Sequence, residues 1–297
     1  MIIVGYDIKY YFQRSQLLDH SRHNTSMTTD SFIHSVHEAL LNNPHLPFYV
    51  YSATHQQSLR NITITKPTLV FIMRGCKTIG QPEQITCPSG HFIFLSDHKL
   101  TALRNIPDQN EYLAWIIEFD AQDFAGIPLT ASHAHTPYIM GQTTQELTEL
   151  IEQLVQISKW APNHILGHRK SELLKVLYAM GHHEIASFGN NATISFKIHA
   201  LFRSHNFQNL SLGVICRALS MSESTLRRKL KSENQSIKDI KDNAQLGYGL
   251  HLLQTTQHAI HHISEQCGYQ SHSRFTKHFK NRFGLTPSEL RKTKAQF

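Results

Sequence analysis

The chain has 297 residues, 40% of them apolar, with 29 Lys+Arg against 22 Asp+Glu. That is enough for two compact domains with real cores, and it excludes disorder over most of the length. No apolar run approaches the ~18 residues of a membrane span, and Asp7 and Lys9 interrupt the N-terminal stretch that a signal peptide would keep apolar, so a soluble, non-exported, cytoplasmic protein is expected.

In chain order, the first expected element is a short helix over residues 30–42, with Asp30 as N-cap and Phe32, Ile33, Val36, Leu40 and Leu41 at helical spacing. From Phe48 to Asp120 the texture changes to short β-rich runs, FYVYS, LRNITI, TLVFIM, HFIFL and YLAWIIEF. Turn signals separate them at Arg74-Gly75, Pro88-Ser89-Gly90 and Pro107-Asp108, which predicts a small antiparallel sandwich or barrel. Beyond Gly141 two helical stripes follow, Leu147, Leu150, Ile151, Leu154 and Ile157, then Leu173, Leu174, Leu177 and Met180. The first stripe suits either an internal core or a dimer helix.

The polar segment Ser187–Asn191 falls where the charge changes sign, so the expected division is 1–186, a linker at 187–193, and 194–297. From Ser195 onward there are 16 Lys+Arg and 6 Asp+Glu, net +10, whereas residues 1–194 are net −3. A compact domain so basic implies an anionic partner, with nucleic acid ahead of membrane because no basic amphipathic stretch carries a broad apolar face.

Within that basic region one design occurs twice. Leu212, Ile215, Cys216 and Leu219 make an apolar face, a break follows at Ser220-Met221, and Leu226 and Leu230 continue after the N-cap Ser222. Ile260, Ile263 and Ser264 lead to Gly268-Tyr269, and Phe275, Phe279 and Phe283 continue after the N-cap Ser271. Both read as helix, tight turn, helix, with a small residue four positions before the turn so that the helices can cross closely. A long helix over Ser236–Thr256 joins them.

The run AIHHISEQCGYQSHSRFTKHFKNRFGLTPSELRK, residues 259–292, resembles the second helix-turn-helix and C-terminal signature of the AraC/XylS family of bacterial transcription regulators, and SLGVICRALSMSESTLRRKLK, residues 211–231, resembles its first. The likeness covers roughly the last hundred residues, with GY, SRF, FK, FG, TP and LR in the family's order and spacing. For the β-rich half the likeness to the family's cupin-like effector or dimerisation domain is architectural. Ser264, Gln245 and Gly249 depart from the pattern, standing where the family usually has Ala, Arg and Ala. The fold expected is therefore α+β, an N-terminal cupin-like antiparallel β sandwich or barrel with flanking helices followed by an all-α domain with two helix-turn-helix motifs.

If Leu226 and Leu230 point inward, Ser224, Arg227, Arg228 and Lys231 face out, and a guanidinium fork suits guanine O6 and N7. On the second recognition helix Ser273 and Lys277 match the family's base-facing positions. His272, Arg274 and Thr276 flank them, and Lys280 and Arg282, with Lys231, are expected to hold the backbone. The resemblance implies promoter DNA and RNA polymerase as partners, an activating role, a small-molecule or protein effector at an unassigned place, and a homodimer.

No metal or cofactor is expected. His258, His261 and His262 have i, i+3, i+4 spacing, but no cysteine or carboxylate completes a tetrahedral set. His91 and His98, His133 and His135, and His182 and His183 do not form the clustered His/Glu pattern that the alternative reading, a cupin-type metalloenzyme half fused to a DNA-binding tail, would need. The 22 histidines also suit acid sensing. The four cysteines form no C-x-x-C pair, which argues for a reducing compartment. Cys216 and Cys267 read as packing groups, while Cys76 and Cys87 could form a redox pair only on neighbouring strands.

Overall fold

A computed structural model describes residues 46–294 other than 65, 81–83, 97–98, 129–136, 190–192 and 208–209, together with Phe32, Ser35, Val36, Glu38 and Ala39. Those five isolated residues are helical, and Phe32 and Val36 are buried as their spacing predicts. Asp30, Ile33, Leu40, Leu41, His98, His133 and His135 lie outside the described residues.

The β-rich region is an antiparallel two-sheet sandwich. Strands β1 (Phe48–Ala53), β2 (Gln57–Thr63), β3 (Thr68–Arg74), β4 (Cys76–Ile79), β5 (Ile85–Pro88), β6 (His91–Leu95), β7 (Lys99–Ile106), β8 (Tyr112–Glu118) and β9 (Tyr138–Gln142) form sheets of order β1-β8-β3-β6-β9 and β2-β7-β4-β5. Four strands, β4, β5, β7 and β9, are additions to the sequence-based set.

Alternation along the five-stranded sheet feeds two cores. Leu69, Phe71, Phe92, Phe94, Trp115 and Ile117 point outward beneath helices α1 (Gln145–Ser158), α2 (Asn163–Ala179) and α3 (Ile185–Phe188). Leu147, Ile151 and Leu154 of α1 are buried in that core, so the first helical stripe is internal packing. Trp160, just past α1, is 75% exposed, in contrast to the fully buried Trp115.

The opposite face, with Val70, Ile72, Ile93, Ala114 and Ile116, packs inside the sandwich. Its core continues into the C-terminal helices through Leu250, Leu253, Phe279 and Phe283. These helices are α4 (Ile194–Ser204), α5 (Leu212–Ala218), α6 (Glu223–Ser232), α7 (Ile237–Thr255), α8 (Ile260–Gln266), α9 (His272–Phe283) and α10 (Pro287–Lys292). A third core gathers Ile198, Phe202, Ile215, Leu226, Leu230 and Ile240 around α4.

Candidate nucleic-acid interface

Both helix pairs close as their sequences dictate. In the second, Gly268 takes φ 77 between α8 and α9. In the first, Ser220 adopts φ 53, so a serine holds the same left-handed corner. Cys216 and Ser264 are buried at the crossings, and the Ser264 hydroxyl donates to the His261 carbonyl at 2.7 Å, which satisfies it within its own helix. The N-caps are Ser222, accepting from the Thr225 N–H at 3.2 Å, and Ser271, accepting from the Arg274 N–H at 3.4 Å.

Gly249 is explained by packing. A Cβ there would lie 2.8 Å from the Phe275 ring and 3.2 Å from Cys267 Sγ, so α7 needs glycine for α9 to seat against it. Gln245 is buried with its amide under the Gly268 turn, a neutral contact where the family usually has a cation.

The residues expected to read bases are open to solvent. Ser224, Arg227 and Arg228 on α6, and Ser273 and Lys277 on α9, are exposed, as are Lys231, His272, Arg274 and Lys280. Arg227 lies 3.9 Å from Glu223 in an exposed pair, a weak tether that phosphate or base could displace. The far end of α6 is anchored, because the Glu233 carboxylate accepts the Ile194 and Ser195 N–H groups at 2.7 and 2.8 Å and so caps α4. No sequence pattern flagged that cap, since its partners lie about forty positions apart.

Two expectations need correcting. Thr276 is half-buried, with a hydroxyl that is enclosed and without a partner. Arg282 turns inward, and its guanidinium is taken up by partners within the chain. Its guanidinium donates to Thr63 Oγ1 at 2.7 Å and to Asn243 Oδ1, and its carbonyl accepts from Asn61 Nδ2 at 3.1 Å. Asn61 is left unpaired within an otherwise continuous β2–β7 register and takes φ 50, a left-handed conformation that Asn tolerates, and its amide reaches α9.

Arg282 belongs to a seam between the sandwich and the C-terminal helices. Gln57 Nε2 donates to Thr293 Oγ1 at 2.9 Å, and the Thr54 N–H donates to the Thr293 carbonyl at 3.0 Å. A cavity of about 130 Å³ opens there, with Tyr49, Glu118, His199, Arg203, His251 and Arg282 on its walls. Burial, reinforced by Arg203 and Arg282, pushes His199 down to about 4. Burial also lowers His251, whose ring meets Tyr49 edge-on at 5.4 Å.

Other candidates fall away from any site. His258 and His262 are edge-to-face at 5.3 Å, and no group of three or more metal-capable side chains occurs among the described residues. Strands β4 and β5 are neighbours, but Cys87 is opposite Lys77 and Cys76 is opposite Pro88, so the two thiols point to different faces and cannot bridge. Cys216 and Cys267 are buried, as expected of packing groups.

The helix-turn-helix domain family matches residues 215–293. Those residues form a helix-turn-helix domain of the AraC/XylS type. The regulator AdiY of Escherichia coli K12 is 32% identical to this chain over 94 residues, which is 32% of this chain and 37% of AdiY. The transcriptional activator RhaS of an Enterobacter species (strain 638) is 21% identical over 282 residues, 90% of this chain and 97% of RhaS. Apo ToxT of Vibrio cholerae strain SCE256, a solved variant, shares the whole two-domain fold at TM-score 0.65 and 15% identity, covering 86% of this chain and 100% of ToxT. The AraC/XylS-type domain therefore sits on this β sandwich in an architecture that ToxT shares.

Proposed function

We propose that the chain is a sequence-specific transcription regulator that activates promoters beside RNA polymerase in the cytoplasm. The observation that carries this reading is the pair of recognition helices α6 and α9, joined by α7, with Ser224, Arg227 and Arg228 on one and Ser273 and Lys277 on the other all open to solvent. Arg227 and Arg228 read guanine edges, and Ser273 and Lys277 read the second groove. Lys231, His272, Arg274 and Lys280 hold the backbone. Two such heads on one rigid helix suit successive major grooves, about 34 Å apart along one duplex face. A homodimer doubles the footprint and raises affinity through effective concentration.

The β domain, residues 1–186, acts as the sensor, and the seam cavity is where its effector enters. ToxT has also been solved with an unsaturated fatty acid bound. Two arginines and two neutral histidines around one carboxylate suit an effector that carries a carboxylate of its own.

Selection of genomic DNA fragments by the purified full chain tests this function. Enrichment of one split motif upstream of a small gene set supports it. Uniform recovery of fragments at moderate salt refutes specific readout.

A further inference from the structure

The inner face of the four-stranded sheet carries a row of side chains that breaks the rule of its surroundings. Cys87 on β5 is directly opposite Lys77 on β4, Lys77 is opposite Asn105 on β7, and Asn105 is opposite Gln57 on β2, so one cross-strand rank spans the whole sheet. Lys77, Asn105 and Gln57 are only 5%, 1% and 2% exposed, within a core otherwise made of Leu59, Ile79, Leu103 and their neighbours.

The three are bonded to one another. Lys77 Nζ donates to Asn105 Oδ1 at 2.6 Å, and Asn105 Nδ2 donates to Gln57 Oε1 at 3.0 Å. Gln57 Oε1 also accepts from the Tyr51 hydroxyl at 2.6 Å. The rank leaves the sandwich at two points, and both lie on the DNA-binding domain. Gln57 reaches Thr293, which ends α10, and Tyr51 also bonds Gln254 of α7.

We propose that this rank is a proton-operated catch, in which the charge on Lys77 controls how firmly α10 and α7 are held against the β2 edge. The titratable groups facing Lys77 are the Cys87 thiol, the Tyr112 ring 5.4 Å from its amine and, through Gln57, Tyr51. Among the described residues no carboxylate pairs with it. A neutral amine is satisfied by Asn105. An ammonium has three donors for that one acceptor and must draw in water or further acceptors, which disturbs the bonded relay that runs from Lys77 through Asn105 and Gln57 to Thr293. Burial lowers the amine to about 7, so the change falls near neutrality, while burial raises Cys87 to about 11, out of play.

The Thr54 N–H, bonded to the Thr293 carbonyl, reports the catch directly. Hydrogen exchange of the full chain at about pH 8.5 and about pH 6, corrected for intrinsic rates, is expected to show roughly tenfold lower protection at Thr54 in acid. Lys77→Met removes the charge and should abolish the difference. Asn105→Asp pairs the ammonium and should move its titration well above this window, with the same flattening. Thr293→Val, which leaves the buried rank intact should Lys77→Met fail to fold, should lower protection equally at both pH values. A wild-type protein without the difference, or any of these variants retaining it in full, overturns the catch.

Discussion

Lys280 and Arg282 stand two residues apart on α9, and the first is exposed to solvent while the second is locked between Thr63 and Asn243. Sequence spacing made both backbone clamps, because a cation near the end of a basic recognition helix looks the same whether it meets phosphate or another domain. The structure separates them, and titration against DNA can check it. Lys280→Ala is expected to reduce the slope of log affinity against log salt by about 1 and to weaken specific and random DNA alike. Arg282→Ala should leave that slope unchanged and instead cost about 1–3 kcal/mol of stability in chemical denaturation. Arg228→Ala should weaken specific DNA by about 1–3 kcal/mol more than random DNA, since a base contact is lost. The exposure of Ser224, Arg227, Arg228, Ser273 and Lys277 was legible because outward positions follow from the buried Leu226, Leu230, Phe275 and Phe279.

At the scale of elements, the helices were more readable than the strands. Most of the described helices carry a periodic apolar face or a side-chain N-cap, whereas β4 (CKTI), β5 (ITCP), β7 (KLTALRNI) and β9 (YIMGQ) are short, or mix polar residues into a buried face. Lys77, Asn105 and Gln57 broke the alternation that strand recognition depends on, so the residues that hid the four-stranded sheet are the ones that make its inner face unusual. Gly249 shows the converse limit. Helix propensity alone makes Gly249→Ala favourable by about 1 kcal/mol. The added methyl would press on Phe275, itself packed edge-on against Tyr269 at 5.3 Å and unable to give way. Gly249→Ala should therefore lower stability by about 1–3 kcal/mol in thermal unfolding.

For the whole molecule, the seam governs pH behaviour. His199 is held neutral in the fold to about 4, against an ordinary histidine value of 6.5, and His251 is lowered as well. The unfolded chain therefore takes up protons first as pH falls, and stability declines from about 6.5 downward until His199 itself protonates near 4. Thermal midpoints measured across that window should fall with acidity, and His199→Gln should flatten part of the decline. The hydrogen bonds across the seam run from β1, β2 and their connection to α7, α9 and α10, which carry the second head, while the first head is mounted on α4 through the Glu233 cap. The two heads thus have different landlords. A chimaera that exchanges the β sandwich for that of a relative would inherit the first half-site intact, but it would need Gln57, Asn61 and Thr63 grafted along with the new sandwich before the second half-site kept its spacing.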